Sequence, residues 1–566
     1  MSAVFRAGRT LASGPARSGR QDYGARCRIK LGAMESSSGL HHRSSGSTSL
    51  VSEGVPGTVD AIEAKDDAAK ASGAARSRHL RPTLYTRRAV YKNDLWVQTA
   101  YLIMWVVATF LLAMRLGITR ADMRWVNPND GSKPIYGVMI DAGSTGTRAH
   151  VIQYLKYGPP DTYMIRMVKA YYAEVPVGFS ASIQEDGDHL SEVRKIIRPL
   201  LDLITEIVPE DHIIWTPIFL RATAGLRLVP DQHAQNILNA AYRELRWSKF
   251  MARRDWVSIM SGEDEALYGW LSVNFLLGTF AHQLSEKEDK ERFAALVDLG
   301  GGSVQMAYSV DERQLDEAKD FAALNASMYL HTLDGVPLKG PLYARSFLGY
   351  GLYDFQLKLY EHLESSGQLQ ANPCFYKSAE KSLQVGRLGH EVRTVGTGDF
   401  DKCVSEALFV LQVSGHSTGT MDQSAAVPEN TDSVTDGSVC EVHGVSHCGV
   451  AGGYRPPFSV SRVVAIAYIY DRLHWFVKED GGSISLQSIR ENGAAVCAMT
   501  HEAALEAYED DGESLCQDLA YIYALLRWGL GMEDGAQVEI RKRIGGVVAG
   551  WATGALTGLM KSYRIA

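Results

Sequence analysis

Apolar and polar positions change their spacing along the chain, and the spacing predicts where strands and helices lie. Short apolar runs are typical of buried strands, whereas apolar residues at intervals of three and four are typical of helices that face a core. The runs predicted as strands are 136–140, 149–154, 213–220, 294–297 and 304–308. Helical spacing covers residues 190–208, 232–245, 265–280 and 515–528. Because strands and helices are interspersed, the pattern predicts an α/β fold.

The N-terminal part of the chain lacks this pattern. Residues 1–94 are rich in Ser, Gly, Ala and Arg, and we predict a disordered tail there. The 20 residues 95–114 carry no charged side chain, and a helix of that length crosses a bilayer. We predict a transmembrane signal anchor over residues 95–116 and a linker over 117–133, with a buried core helix as the alternative.

Flanking charges and cysteines predict the orientation of this span. Six Arg and Lys residues (76, 78, 81, 87, 88 and 92) precede it and four (115, 120, 124 and 133) follow it. This bias favours a cytosolic N-terminus. Of the seven cysteines, Cys27 precedes the span and six follow it, which fits three disulfides in an oxidising compartment. Asn325 begins a glycosylation sequon in the same region.

Length and charge limit the classes of protein. A chain of 566 residues exceeds one ordinary core, so we expect two lobes. The net charge of −7 gives no general attraction to nucleic acid, and we expect no nucleic-acid partner.

Residues 414–439 are a low-complexity insertion. Nearby, Cys440, His443, His447 and Cys448 carry the donor atoms of a zinc site, but their spacing is compressed. We favour a Cys440–Cys448 disulfide over zinc.

One local pattern occurs twice. Residues 138–152 and 295–307 each combine an apolar strand that ends in aspartate, a turn of glycine and hydroxyl residues, and a second strand. The aspartates, Asp141 and Asp298, are 157 positions apart (298 − 141). One such turn is an ordinary hairpin signal. Two of them predict lobes that face each other across a phosphate-bearing ligand.

The two turns supply the chemistry that a phosphate chain needs. Glycines such as Gly300, Gly301 and Gly302 let backbone N–H groups approach an anion, and Ser144, Thr145 and Ser303 add donors. Carboxylates repel phosphate, so we expect Asp141 and Asp298 to hold a divalent cation through its water shell. The sequence contains no P-loop motif that would provide another phosphate site.

Five blocks resemble the apyrase family, the nucleoside tri- and diphosphatases that share the actin and sugar-kinase architecture. They are IDAGSTGTR (140–148), RATAGLR (221–227), SGEDEALYGW (261–270), VDLGGGSVQ (297–305) and a weaker GWATGA (550–555). The resemblance covers about residues 133–566 and implies a two-lobed, actin-like (RNase H-like) ATPase fold. We expect lobe I to comprise residues 134–261 and 540–566, and lobe II to comprise residues 262–539.

The resemblance also implies roles for individual residues. Ser144, Thr145 and Gly146 would bind the terminal phosphate, and Asp298 would join Asp141 around the metal. Glu265 would be the catalytic base. Hydrolysis by water needs a carboxylate near the nucleophile, and Glu265 begins a helical stretch. An acidic helix start is the alternative interpretation of this glutamate. The resemblance gives Ser303 and Gln305 the task of placing the attacking water.

Three further features of the site are less sharply defined. Thr223 follows an apolar run and is predicted to touch phosphate or water, while Arg227 is either a charge partner or a structural arginine. The resemblance implies that Trp551 and Tyr470, or Tyr468 instead of the latter, enclose the nucleobase, although core burial is the ordinary fate of such aromatic residues. At Thr553 many relatives carry Leu. Disulfides Cys374–Cys403 and Cys497–Cys516 are similar to pairs in relatives.

These observations predict a single-pass type II membrane hydrolase with a luminal catalytic domain. It would use Ca²⁺ or Mg²⁺, or alternatively Mn²⁺. Its lack of a second span resembles Golgi-type members that prefer GDP and UDP, while other secretory membranes or the cell surface share this topology. The expected partners are nucleoside di- or triphosphates and the lipid bilayer, and a homo-oligomer stays an open alternative. The competing functions are a small-molecule kinase of the same superfold and a catalytically silent membrane scaffold.

Overall fold

The computed structural model describes the greater part of the chain after residue 133. Its described residues all belong to one compact unit, which comprises residues 1–35 and 132–566. No helix within the described ranges is long and apolar enough to cross a membrane. The described ranges are 28–30, 134–157, 164–183, 185, 187–281, 293–310, 330–331, 337–338, 342–385, 390–412, 449–452, 455, 460 and 462–562.

Several sequence predictions fall outside these ranges. They are the tail apart from residues 28–30, the span 95–116, the linker 117–133, the insertion 414–439, the Cys440–Cys448 pair and Asn325.

The described strands form two large sheets with the same core order. In each sheet a three-stranded antiparallel meander is followed by two parallel strands, in the order 3-2-1-4-5 along the chain. The repeated turn motif therefore belongs to a repeated sheet, as the two-lobed α/β prediction requires. The first sheet runs β1 (Arg28–Lys30), β4 (Met164–Val175), β3 (Thr147–Tyr157), β2 (Ile135–Ala142), β5 (Ile218–Ala222) and β6 (Val257–Ile259). The second runs β11 (Leu342–Leu348), β8 (Ser303–Ser309), β7 (Ala295–Leu299), β15 (Val463–Ala467), β17 (Gln537–Ile540) and β16 (Ser483–Ser485).

Short strands and helices complete the unit. Smaller sheets contain β9 (Leu330–His331), β10 (Pro337–Leu338), β12 (Ala371–Asn372), β13 (Glu380–Val385), β14 (His390–Gly396), β18 (Arg543–Ile544) and β19 (Val547–Val548). The helices are α1 (Phe179–Ser182), α2 (His189–Ile207), α3 (Glu210–Ile213), α4 (Ala224–Arg227), α5 (Asp231–Trp247), α6 (Gly262–Leu276), α7 (Leu352–Ser365), α8 (Phe400–Leu411), α9 (Tyr468–Leu473), α10 (Leu486–Cys497), α11 (His501–Tyr508), α12 (Leu515–Ala524) and α13 (Ala552–Ser562).

Strand β2 shows why the apolar runs become central strands. Val138 and Ile140 belong to the core that also contains residues of α2 and α5, while Met139 between them belongs to the core that contains residues of α6 and α13. Successive side chains of a strand point to opposite faces, so a strand covered on both faces must be apolar at every position. Helix α6 is buried along most of its length for the same reason.

One prediction of local structure is wrong, and one short strand lies where none was predicted. The run 213–220 is not one strand, because α3 ends at Ile213 and β5 begins at Ile218. The turn between them leaves Trp215 70% exposed. Residues 28–30, within the predicted disordered tail, form β1, which pairs antiparallel with β4. That pairing is a tertiary contact, and nothing in the local composition of the tail indicates it.

Two predicted disulfides are present, Cys374–Cys403 and Cys497–Cys516. The first joins the segment before β13 to α8, and the second joins the end of α10 to the start of α12. All four cysteines are buried in the core of the second sheet. A cross-link that closes a loop of this size stabilises the fold by about 3 kcal/mol, largely through the unfolded state.

Candidate active site

The two glycine turns meet across a cavity. A Cβ placed on Gly301 would lie 2.6 Å from Cγ2 of Thr145 and 2.9 Å from Oγ of Ser144, so the turns are in contact range. Each turn is closed by the same backbone hydrogen bond, from Gly143 N to Gly146 O and from Gly300 N to Ser303 O, both 3.0 Å long. The cavity has a volume of about 510 Å³, which suits a nucleotide-sized ligand.

Most of the residues predicted for the site line this cavity. Gly146 does not line it: this glycine is buried and closes the first hairpin, and Gly143 faces the cavity instead. The predicted residues that line the cavity are Asp141, Ser144, Thr145, Thr223, Glu265, Asp298, Gly300, Gly301, Gly302, Ser303, Gln305, Tyr468, Tyr470 and Trp551.

Three carboxyl groups line the cavity: those of Asp141 and Glu265 are buried, and that of Asp298 is partly buried. Burial raises the pKa of Asp141 from 3.8 to about 6, with Arg148 acting against this shift. Burial and the charge of Asp141 raise the pKa of Asp298 to about 7. Burial also raises the pKa of Glu265 to about 8, although Arg227 lowers it and the two aspartates add to the rise. These groups therefore repel one another when charged.

The same carboxyl groups fit a hydrated divalent cation. Oδ1 of Asp141 is buried and has no hydrogen-bond partner among the described residues, which is costly for a carboxylate. A cation between Asp141 and Asp298 would compensate both charges. Among the described residues, no group of three or more His, Cys, Asp or Glu side chains is placed to hold a metal ion. The two aspartates suit a cation that keeps much of its water shell.

A hydrogen-bond network connects Glu265 to the second glycine turn. Arg227 donates from Nη2 to Oε2 of Glu265 at 2.8 Å and to Oγ of Ser303 at 3.3 Å. Gln305 donates from Nε2 to Oγ of Ser303 at 2.7 Å and to Oγ of Ser346 at 2.9 Å. The hydroxyl oxygen of Ser303 thus accepts two bonds, which leaves its proton free to be donated. Both amide hydrogens of Gln305 are used, which leaves its Oε1 as an acceptor.

Sequence reasoning missed Ser346 and left the role of Arg227 open. Ser346 lies directly opposite Gln305 in the β8–β11 register. It is separated from Gln305 by 41 positions, and only strand pairing brings the two together. The strand-like spacing of residues 342–348 was the one available signal, and such spacing does not reveal which residue of the neighbouring strand lies opposite Ser346.

Backbone of the segment before α1 packs against the first glycine turn. Thr147 donates from Oγ1 to the carbonyl of Val177 at 2.8 Å, which fixes the segment before α1 against the turn. Gly178 follows at once, and a Cβ on it would lie 2.1 Å from the carbonyl oxygen of Ser144. Thr223 donates its backbone N–H to Ala142 O at 3.2 Å and is buried. Close packing of backbone on backbone therefore sets the shape of the turn.

Gly178→Ala should displace the first turn and weaken nucleotide binding. The backbone of Gly178 is extended (φ −86°, ψ 151°), so any effect of alanine is steric. Overpacking of this kind costs about 1–3 kcal/mol. We expect a lower Tm and a KM for nucleotide raised about 10-fold, measured by thermal unfolding and steady-state kinetics. Gly535→Ala is the control, because its Cβ would meet no atom within 4 Å. Equal behaviour of the two variants would contradict the steric argument.

Aromatic and charged side chains form the other end of the cavity. The Tyr468 hydroxyl donates to Oγ1 of Thr145 at 3.2 Å. Tyr470 is partly buried, and its ring stacks on His474 at 5.5 Å between centroids. Trp551 is only 4% exposed and packs in the core between the sheets, so little of its surface is available to a base. The sequence did not predict Lys542, whose Nζ lies 5.2 Å from the Tyr470 ring centroid.

Comparison with known proteins identifies similar chains. Residues 129–565 match the family model described as GDA1/CD39 (nucleoside phosphatase) family. "Ectonucleoside triphosphate diphosphohydrolase 5" of Bos taurus is 27% identical over 460 residues, which cover 79% of this chain and 92% of the relative. "Nucleoside diphosphate phosphatase ENTPD5" of Homo sapiens is 28% identical over 448 residues, which cover 77% and 90%.

A solved structure is similar in fold. The crystal structure of nucleoside triphosphate hydrolases from Neospora caninum aligns with a TM-score of 0.51 and 15% identity. The alignment covers 81% of this chain and 98% of that chain. At this identity the likeness shows the fold alone.

Proposed function

Because this chain belongs to the GDA1/CD39 (nucleoside phosphatase) family, we propose that it hydrolyses the terminal phosphate of nucleoside diphosphates and, less efficiently, triphosphates. The observation that supports this most is the placement of three carboxyl groups, the buried Asp141 and Glu265 and the partly buried Asp298, in the cavity where two glycine turns meet. In this proposal the glycine turns bind the phosphate, Asp141 and Asp298 hold the cation, and Glu265 activates the water. A relative is named as a nucleoside diphosphate phosphatase, so nucleoside diphosphates are the first substrates to test, and we propose GDP and UDP among them.

The glycine turns would bind the terminal phosphate. Ser144, Thr145 and Gly301 lie in contact range of one another, so a phosphate between the turns would receive donors from both. The free proton of the Ser303 hydroxyl adds one more donor. Oriented backbone N–H groups stabilise the charge that builds up in phosphoryl transfer, and they need no reorganisation during the reaction.

Glu265 would take the proton of the attacking water. Its carboxylate is held by Arg227 at 2.8 Å, which fixes its position and favours the charged form that a base requires. Oε1 of Gln305 would accept a hydrogen bond from the other O–H of the same water, because both of its amide hydrogens are already used. Water aligned by Glu265 and Gln305 then attacks the terminal phosphorus in line, and the nucleoside monophosphate leaves.

Asp141 and Asp298 would hold the cation, Ca²⁺ or Mg²⁺ with Mn²⁺ as the alternative. When bound, it neutralises phosphate charge during the reaction. Neutralisation would also lower the pKa of Glu265, which the two aspartates raise.

We propose that the chain is anchored by residues 95–116 with its catalytic domain in the lumen of the Golgi or another secretory compartment. Two buried disulfides fit an oxidising compartment. In the anchored protein residues 28–30 would lie on the cytosolic side, so the first sheet would consist of its other five strands without β1. Digestion of the catalytic domain by protease added outside sealed Golgi vesicles would overturn this topology.

Phosphate release by the purified full chain tests the proposed reaction. GDP and UDP should release phosphate with water as the sole acceptor and with Mg²⁺ or Ca²⁺ present. Chelation should lower the rate at least 100-fold, since the carboxylate pair then stays uncompensated. A rate with ATP far above the rates with GDP and UDP would overturn the diphosphate preference. A strict requirement for an acceptor other than water would instead support a kinase of the same superfold.

A further inference from the structure

An ion pair at the far end of the cavity has no role in the phosphate chemistry. Nζ of Lys542 lies 3.0 Å from Oδ1 of Asp471, and both side chains line the cavity. They are 48% and 38% exposed, so both can meet a ligand. Asp480 fixes the backbone that carries Lys542, because its Oδ1 accepts the Lys542 N–H at 2.8 Å. The pair therefore sits on anchored elements.

Helix α9 connects this pair to the phosphate turn. Tyr468, its first residue, donates to Thr145 in that turn. Asp471 follows three residues later, on the same helix face and about 4.5 Å farther along the axis. Tyr470 lies between them and also lines the cavity. A nucleotide whose terminal phosphate sits at Thr145 would thus extend along α9, with its base near Tyr470 and Asp471.

We propose that Asp471 and Lys542 form a subsite for the Watson–Crick edge of guanine. This inference rests on the proposed nucleotide hydrolysis and names the base of its substrate. Guanine presents two adjacent donors, N1–H and the N2 amino group, next to the O6 acceptor. The Asp471 carboxylate accepts from both donors, and the Lys542 ammonium donates to O6.

Uracil and adenine form fewer hydrogen bonds with Asp471 and Lys542 than guanine does. Uracil offers one donor, N3–H, between two carbonyl oxygens, so it forms one bond with each side chain. Adenine offers its amino group and a ring nitrogen but no carbonyl oxygen, and it also forms one bond with each. Guanine alone of these three gives the carboxylate two donors. A site built around hydrogen bonds discriminates against ligands that leave a partner unsatisfied.

Inosine and xanthosine diphosphates test the two halves of the pair. IDP lacks the N2 amino group, so wild-type full chain should have a kcat/KM for GDP about 10-fold above that for IDP. Asp471→Asn should bring this ratio to about 1. The same variant should gain activity on XDP, whose C2 carbonyl accepts from the asparagine amide. Lys542→Met should lower kcat/KM for GDP and IDP by the same factor, because both bases carry O6.

Asp401→Asn is the matched control. Asp401 forms an exposed ion pair with Arg490 at 2.9 Å and does not line the cavity, so this variant should keep the wild-type GDP/IDP ratio. An equal loss for all nucleotides in Asp471→Asn would show that the pair only holds α9 in place, and it would overturn the subsite. A wild-type GDP/IDP ratio near 1 would do the same.

Calorimetric binding of GDP and IDP separates this inference from the proposed reaction. If the wild-type chain releases no phosphate but binds GDP more tightly than IDP, and Asp471→Asn abolishes the difference, the guanine subsite stands and the hydrolase proposal falls. If the chain hydrolyses nucleotides but binds GDP and IDP equally in both proteins, the hydrolase proposal stands and the subsite falls.

Discussion

Glu265→Gln should lower kcat for phosphate release by about 10²–10⁴-fold while KM for the nucleotide changes little. Glutamine keeps the shape of the side chain and still offers an oxygen to Arg227, so the network around Ser303 should persist. It loses the ability to take a proton from water. Steady-state kinetics with GDP, together with calorimetric nucleotide binding, measure the two effects separately.

The stability of the same variant gives an independent readout. Glu265 is buried, and burial together with two neighbouring aspartates disfavours its charged form. A neutral amide removes that penalty, so we expect a Tm equal to or above that of the wild type in cation-free buffer. Glu263→Gln on the same helix is the control, because Glu263 is exposed and should leave both kcat and Tm unchanged. Near-normal turnover by Glu265→Gln would exclude Glu265 as the base.

The sequence was most informative where one short segment carries both a strand and the chemistry at its end. Asp141 and Asp298 lie at the ends of central strands, and the glycines after them allow tight turns, so a shared site for the two aspartates could be predicted before any contact was known. The duplicated strand order confirms that the repeated motif marks repeated architecture. Motifs of this kind can be recognised from the sequence because the strand and the turn are formed by neighbouring residues.

Contacts made across the fold could not be predicted in this way. Ser346 acts through its register with Gln305, and Lys542 through a β17–β18 connection that Asp480 anchors. Both positions carry ordinary strand or turn residues whose partners are distant in sequence. Gly146 shows another limit of a local motif. It belongs to the phosphate motif, yet it does not line the cavity, whereas Gly143 does.

Cation binding should be about 100-fold tighter at pH 7.5 than at pH 5.5. The pKa values of Asp141 and Asp298 in the cation-free fold are about 6 and about 7, above the usual 3.8. Only the doubly ionised pair binds a dication well. With these values roughly 70% of molecules are doubly ionised at pH 7.5, and roughly 1% at pH 5.5. The binding-competent fraction therefore falls by about two orders of magnitude.

The effect of a rise in pH on the stability of the fold has opposite signs with and without the cation. Because the folded-state pKa values of Asp141 and Asp298 lie above the usual 3.8, the cation-free fold loses stability as the pH rises from about 4 to about 7. Ca²⁺ or Mg²⁺ should reverse this change, so the increase in Tm on adding cation should be much larger at pH 7.5 than at pH 5.5. Calorimetric titration in two buffers of different ionisation enthalpy should also detect protons released on binding, with more of them released at pH 5.5 than at pH 7.5.

Asp298→Asn removes one titrating ligand and should weaken cation binding while flattening its pH dependence. Asp264→Asn is the matched control, since Asp264 is an exposed acid on α6 and should keep the wild-type profile. A cation affinity that is the same at pH 5.5 and pH 7.5 would show that the two aspartates do not hold the ion. The glycine turns would then still bind phosphate, but the charge of the transition state would have to be compensated by cationic side chains such as Arg148, which lies 3.7 Å from Asp141.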